Sequence, residues 1–413
     1  MLRSLALRDF KSFQNGEPVE LAPFTVLFGP NAAGKSNFID AVQLLSRLAS
    51  EKTLAEAFGP PIRGRAIEAF RFEAEGLAGL MGREKAALEL DARIDTGKET
   101  IQYRAEVAVE PARGTLGLAN EYLAALGKTG EPKGNPVIEL VERHLHVRRK
   151  GKAARPYKLE IGQPFTVLSD RRFSGAGYQV LERCRQELSS WRCYYLDPRI
   201  SMRSVQAPQD VGDIGPLGEH VAPFLHRLKN SQEGRLYDAV RRTVRTIVPS
   251  IEDIQVELNP KRGEIELQIH QGGAAYSSRV VSEGTLRVLA LACVAVNPWG
   301  GSLVAFEEPE NGVHPRRIEL IAKLLASMAF EEQRQVIVAT HSPLFCGEAL
   351  RMMREKPELV RMFNVVREGG SSRLVPFLPT GPLFDDPEVR QALTSGTEDG
   401  IFEAAMLRGL LDG

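Results

Sequence analysis

Residues Gly29 to Ser36 read Gly-Pro-Asn-Ala-Ala-Gly-Lys-Ser: two glycines separated by four residues, then at once a lysine and a hydroxyl. That spacing suits the cradling of a polyphosphate. Gly29 and Gly34 let the backbone turn tightly, and Pro30, Asn31, Ala32 and Ala33 form the turn between them, so that N–H groups point inward at phosphate oxygens. Lys35 is placed to reach the β- and γ-phosphates of ATP, and the Ser36 hydroxyl is a ligand type for Mg2+. Asn37 opens the helix whose positive dipole end completes the cradle.

A second group of residues could act on what the loop holds. Ser302 to Glu308 is an apolar run ending in two acids. A strand buried on both faces tolerates carboxylates only at its end, where the ligand crevice lies. Glu307 is there to hold magnesium, directly or through water, and Glu308 to orient and deprotonate an attacking water. Val336 to Pro343 is another apolar run and delivers His341 to the same edge. Ser282 and Gly284, in Val-Ser-Glu-Gly-Thr just before a helix, offer a second phosphate contact.

These residues need particular elements to position them. Phe24 to Phe28 is an apolar run suited to a buried parallel strand, and Asn37 to Leu48 has helical spacing. The pattern predicts strands at Arg3–Phe10, Glu17–Leu21, Ala69–Ala74, Ala87–Ile94 and Thr100–Val109, forming a small antiparallel sheet. Gly114 to Gly134 reads as loop-rich with one short helical run, and Leu145 to Ile161 as a hairpin around Gly151. Val180–Trp191 reads as a helix, Pro198–Pro216 as a loop and Glu219–Val248 as mostly helical. No heptads persist, which argues against a long coiled-coil arm. From Ile251 strands (Ile254–Leu258, Ile265–Ile269, Ser302–Phe306, Gln335–Ala339) alternate with helices (Thr285–Val296, Arg316–Met328), the pattern of a parallel sheet covered by helices.

The order of phosphate loop, Ser-x-Gly, double acid, Pro309-Glu310-Asn311-Gly312-Val313-His314-Pro315 and Thr340-His341-Ser342 resembles the ABC-type ATPase heads of the SMC/RecF/OLD class, and within it compact AAA-type ATPases. Asp9-Phe10-Lys11-Ser12-Phe13 is similar to their N-terminus. The resemblance is close over residues 1–50 and 275–345 and loose elsewhere. It implies an α/β ABC-type P-loop ATPase head: a parallel sheet with helices on both faces, an N-terminal antiparallel sheet and a central mixed α/β insertion. It also implies two heads sandwiching two ATPs, with Ser282 and Gly284 touching the γ-phosphate held by the other subunit. In that arrangement His341 is the switch histidine, and Glu310 to His314 line the dimer contact. Two departures stand out: Val281-Ser282-Glu283-Gly284-Thr285 replaces Leu-Ser-Gly-Gly-Gln, and Glu307 stands where the class usually has Asp. Gln102 is a weak candidate for the glutamine loop.

The expected organisation is an N-terminal lobe (1–110), an insertion (111–250), a C-terminal lobe (251–380) and a tail (381–413). The 413 residues allow two or three domains. Formal net charge is zero, so a nucleic-acid surface must be local. One candidate is the basic stretch Arg143, His144, His146, Arg148, Arg149, Lys150, Lys152, Arg155 and Lys158; Arg171, Arg172, Arg241, Arg242 and Arg245 add to it. Four scattered cysteines and the absence of a signal-like N-terminus or a membrane-length apolar run lead us to expect a cytoplasmic protein without a membrane role. The stretch after His341 is short for a fused nuclease, and the acids between Gly381 and Asp399 form no convincing metal cluster. The sequence therefore leaves two roles open. One is a DNA repair or anti-phage ATPase that clamps nucleic acid, with any nuclease on a separate chain. The other is a nucleotide-gated protein that holds or releases an effector without touching nucleic acid. A transporter ATPase fits poorly, because the loop and Ser-x-Gly segments lie too far apart.

Overall fold

The computed structural model describes residues 1–73, 75–149, 155–231 and 234–378. The strands in chain order are β1 (Leu2–Arg8), β2 (Val19–Glu20), β3 (Phe24–Phe28), β4 (Ala86–Asp95), β5 (Thr100–Glu110), β6 (Thr115–Leu126), β7 (Ile138–Val141), β8 (His144–Val147) and β9 (Tyr157–Glu160). They continue as β10 (Arg192–Tyr194), β11 (Ile251–Asn259), β12 (Glu264–Gln271), β13 (Ala274–Ser277), β14 (Leu303–Glu307), β15 (Gln335–Ala339), β16 (Val360–Glu368) and β17 (Ser371–Pro376). The helices are α1 (Lys35–Ser50), α2 (Leu54–Ala57), α3 (Gly76–Met81), α4 (Gln179–Ser190), α5 (Val221–Asn230), α6 (Gly234–Ile247), α7 (Glu283–Val296), α8 (Ile318–Phe330) and α9 (Pro343–Glu355). They group into two compact units. The first comprises Met1–Ala22, Pro30–Arg192 and Val365–Val375; the second comprises Pro23–Gly29, Cys193–Asn364 and the residues from Pro376.

The first unit is built on an eight-stranded antiparallel sheet, in the order β2-β1-β4-β5-β6-β7-β8-β9. Alternation makes the sheet. Leu88, Leu90, Ala92 and Ile94 of β4 are buried, as are Ile101, Tyr103, Ala105 and Val107 of β5, while the residues between them face away. The β4–β5 turn takes its shape from Gly97 at φ 75°, whose N–H donates to Asp95 Oδ1 at 2.8 Å. The Arg3 guanidinium holds the Asp95 carboxyl below the usual carboxylate range.

The loop-rich reading of Gly114–Gly134 gives way here to β6, twelve residues paired along the length of β5. Gly117, Asn120 and Glu121 mask the strand in the sequence, because all three are poor strand formers. Pairing overrides that preference, with a register shift at Glu106/Val107. The strand expected at Ala69–Ala74 is also absent up to Glu73. A 3-10 turn covers Ala66–Ala69, and Phe70 makes only an isolated bridge to Phe10. Ala74 lies outside the described residues. The hairpin expected at Leu145–Ile161 is present as β8 paired with β9, and its tip at Gly151 is outside them too.

In the second unit β14, β15, β3 and β16 run parallel, with β10 beside β14. All five residues of β3 and of β15 are buried, which accounts for sequences that are apolar except at Thr25 and Gln335. Residues from α5 through α9 pack around this sheet in one core that includes Phe224, Leu289, Leu325 and Phe345. Stacked Tyr194 and Phe306 rings, 5.2 Å apart, are part of it. β11, β12 and β13 form a separate antiparallel sheet. The β11 and β12 segments had read as part of the alternating α/β pattern; they are instead two arms of a hairpin turning at Gly263, φ 66°. The second half of β16, from Val365, belongs with β17 in the first unit. Among the described residues no helix is long and apolar enough to cross a membrane.

Candidate active site

The phosphate loop starts where β3 stops. Its turns need unusual backbone at Gly29 (φ 137°), Ala32 (φ 63°) and Gly34 (φ 115°). Gly34 is constrained twice over, since a Cβ there would lie 2.3 Å from Ser372 Oγ and 2.9 Å from Ser12 Oγ. Gly34 is also the N-cap of α1 and offers no side chain to the first-turn N–H groups. Lys35 is folded into the loop. It is 6% exposed, and its ammonium donates to Pro30 O at 2.8 Å. Asn31 and Ala32 are exposed, Ala33 is buried, and Ser36 and Asn37 are half-buried.

The loop rests on a hydroxyl brace that the sequence reading did not find. Asn37 Nδ2 donates to Ser12 Oγ at 2.8 Å, the Ser372 hydroxyl donates to Ala33 O, and Ser372 Oγ accepts from the Ser12 hydroxyl at 2.7 Å. Asn37, grouped in the sequence with the ligand-binding residues, thus gives its amide to the brace. Beside it, Asp40 is fully buried and takes Lys11 Nζ at 2.5 Å and Arg63 Nη2 at 2.8 Å. The Asp-Phe-Lys-Ser-Phe segment is therefore the underside of the loop. Its motif was visible in the sequence, but Ser372 was not, because it arrives from the far end of the chain.

In the second unit the ends of β14 and β15 come together, with Glu307 opposite Ala339 in register and Ala339 opposite Leu27 of β3. Glu307 is half-buried at its strand end. Glu308 follows with φ 45°, a left-handed backbone that a glutamate rarely adopts. Its N–H donates to Ala339 O at 2.8 Å, and Arg287 Nη1 reaches its carbonyl at 3.4 Å. The turn brings Glu308 Oε1 to 2.9 Å from His341 Nδ1. The pair can hold a water and take its proton.

Glu310, expected on a dimer surface, is turned inward at 5% exposure, whereas Asn311, Gly312 and His314 of the same segment are exposed. Burial pushes its carboxyl above the usual range. Thr340 Oγ1 donates to Glu310 Oε1 and accepts the Ser342 N–H at 2.9 Å. Ser342 in turn caps α9.

Ser282 is exposed and caps α7, accepting from Thr285 N at 3.3 Å. A Cβ on Gly284 would lie 2.3 Å from Gly312 O, so glycine alone allows α7 to meet the Asn311–Gly312 turn. Glu283 occupies a position that is glycine in related signatures, and its carboxylate is held by Arg199 Nε at 2.7 Å. Ser282, Gly284, His314, Arg316 and Arg317 line part of a cavity of about 640 Å³.

Other sequence candidates fall differently. Gln102 lies within β5 and donates to the Asp91 carboxylate at 2.9 Å. In the basic stretch Arg148 pairs with Glu139 and donates to Pro136 O, and Arg149 lies over the Tyr178 ring at 5.8 Å. Arg172 pairs with Asp170, and Arg241 with Asp238 and Asp253. Lys150, Lys152 and the acidic segment Gly381–Asp399 lie outside the described residues. Among the described residues no group of three or more His, Cys, Asp or Glu could hold a metal ion by itself.

Comparison with known proteins bears on the family and the fold. An OLD nuclease of Thermus scotoductus is 39% identical over 75 residues, 17% of this chain and 14% of that protein. A DNA replication and repair protein RecF of Gloeobacter violaceus is 34% identical over 97 residues, 24% of each. A RecF of Nocardioides sp. is 30% identical over 136 residues, 32% of this chain and 30% of that one. The chain thus matches less than a third of the length of these relatives. Among solved structures, an Smc head bound to the C-winged helix domain of ScpA superposes with a TM-score of 0.55, at 15% identity over 91% of this chain and 97% of that one. An Smc head domain with a coiled coil and joint from Pyrococcus yayanosii gives 0.51, at 11% identity over 98% and 99%. The fold is accordingly that of an SMC head, as the sequence led us to expect. The family described as "AAA domain, putative AbiEii toxin, Type IV TA system" matches residues 24–347, from the first residue of β3 into α9. That match spans well over half of the chain, and the protein belongs to this family of P-loop ATPase domains.

Proposed function

We propose that the chain binds ATP with Mg2+ and hydrolyses it, and that two copies close around two nucleotides to act on nucleic acid in repair or defence. The observation that carries hydrolysis is the Glu308 Oε1 to His341 Nδ1 contact of 2.9 Å, held by a strained backbone at the ends of β14 and β15. Gly29 to Ser36 wraps the phosphates, with Lys35 as the cation that meets their outer oxygens. The Ser36 hydroxyl and the Glu307 carboxylate are ligand types magnesium prefers, and these two groups would hold it. Magnesium held by these groups would supply positive charge to offset that of the phosphates. Glu308 orients that water and takes its proton, while His341 fixes the Glu308 carboxylate.

Ser282 and the Gly284 N–H serve the nucleotide held by the second copy. Arg199 supports that role: it neutralises Glu283, which otherwise sets a negative charge beside a phosphate site. The nucleic-acid role rests on the likeness to an OLD nuclease and to RecF proteins. A second reading is favoured by the basic stretch, where Arg148 and Arg149 are engaged within their own unit. In that reading ATP gates the holding of a protein effector. Phosphate release measured with and without duplex DNA separates the two. Stimulation by DNA, lost as salt rises, supports the first; ATP turnover indifferent to DNA, with no DNA binding at low salt, supports the second.

A further inference from the structure

Glu308 and His341 are partly solvent-exposed, at 31% and 52% of their side chains, so their 2.9 Å separation must be set from beneath. The groups beneath are Glu310 and Thr340. Thr340 is fully buried and tied on several sides: its N–H donates to Leu27 O of β3 at 3.0 Å, its hydroxyl accepts from Ser342 N, and the same hydroxyl donates to Glu310 Oε1. Glu310 lies two residues past Glu308, and Thr340 immediately precedes His341. The Glu310–Thr340 hydrogen bond therefore joins the segment after β14 to the end of β15, the two pieces of chain that carry the pair. Among the described residues Glu310 Oε2 has no hydrogen-bond partner, so Oε1 carries the link. Arg287, 8% exposed, adds support by donating to the Glu308 carbonyl.

Keeping an acid in such a place costs stability. A buried carboxyl with one unpaired oxygen is unfavourable against an apolar residue, and a neutral form lessens that cost. Its retention beside the exposed pair points to a use other than packing. We propose that Glu310 is a positioning residue for hydrolysis: through Thr340 it sets the distance between Glu308 and His341. This rests on the reading above, in which that pair activates water.

Steady-state ATP hydrolysis and nucleotide binding by the full chain test it, with Glu308→Gln run in parallel. Glu310→Ala and Thr340→Val cut the link from opposite sides. Each should lower kcat roughly 10- to 100-fold, as sub-ångström to ångström misplacement does. ATP affinity and KM should stay within about twofold. Glu310→Gln and Thr340→Ser preserve the link and should recover most of the turnover. The double variant Glu310→Ala/Thr340→Val should be no slower than the slower single one, because both remove one interaction. Thr340→Val, nearly isosteric, carries the test if Glu310→Ala does not fold. Wild-type kcat in a folded Thr340→Val, or single effects that multiply in the double variant, overturns the proposal. A dead Glu308→Gln beside a normal Thr340→Val confines the failure to Glu310. Wild-type turnover in Glu308→Gln removes the underlying reading and this inference with it.

Discussion

Glu308 with φ 45° costs on the order of 1–3 kcal/mol in backbone strain, and it persists because its N–H is spent on Ala339 O and its carbonyl on Arg287. The strain aims a carboxylate at His341 instead of letting it follow the line of β14. The double acid, the histidine and the Gly-Lys-Ser run were all legible in the sequence, because each is a residue type at a fixed spacing within one element. Ser12, Asn37 and Ser372 were not legible as a brace, since their contact joins segments from opposite ends of the chain and leaves no local pattern. The same holds for Glu310, whose burial could not be read from the turn it occupies. At this scale Lys35 gives the plainest expectation. Its ammonium is held inside the loop by Pro30 O. Lys35→Ala should therefore abolish ATP binding in a fluorescent-nucleotide titration, and near-normal affinity would remove the loop from the account.

Among the elements, β3, β14 and β15 were readable because strands buried on both faces are written as mostly apolar runs. β6 was not, and the residue that hides it also decides its behaviour. Glu121 is fully buried in that strand and accepts the N–H groups of Val167 (2.6 Å) and Leu168 (3.0 Å) and the Tyr103 hydroxyl (3.1 Å), stitching the 166–168 segment to the sheet. Burial outweighs those donors and pushes its pKa from 4.5 up to about 7. Between those values the folded chain keeps a proton that the unfolded chain has released, so this group's contribution to stability falls as pH rises from 4.5 to about 7 and is level above. The loss is on the order of 3 kcal/mol. Glu121→Gln cannot titrate. Urea unfolding at pH 5 and pH 8 should show a larger decline in the wild type than in Glu121→Gln, whatever the variant's absolute stability. Equal declines would show that Glu121 is ionised in the fold.

At the scale of the molecule, residues 24–347 carry the family's ATPase domain, and under the proposal above two copies close head to head on ATP. ATP can drive closure only through its different affinity for open and closed states. If sites are shared between copies, Ser282→Arg and Lys35→Ala proteins, each inactive alone, should complement each other. Equal mixing should restore about a quarter of wild-type turnover, since half the dimers are mixed and each holds one of two sites intact. No recovery at any ratio, with mixed dimers demonstrated by cross-linking, would contradict shared sites. The central claim is that the Glu308–His341 edge hydrolyses the ATP that the loop holds. It is tested most directly by measuring phosphate release and ATP binding together for wild type and Glu308→Gln. The account predicts unchanged or tighter binding with turnover slower by about 10²–10⁴-fold, the usual cost of losing a general base. A Glu308→Gln protein that binds ATP and turns it over at the wild-type rate would contradict it.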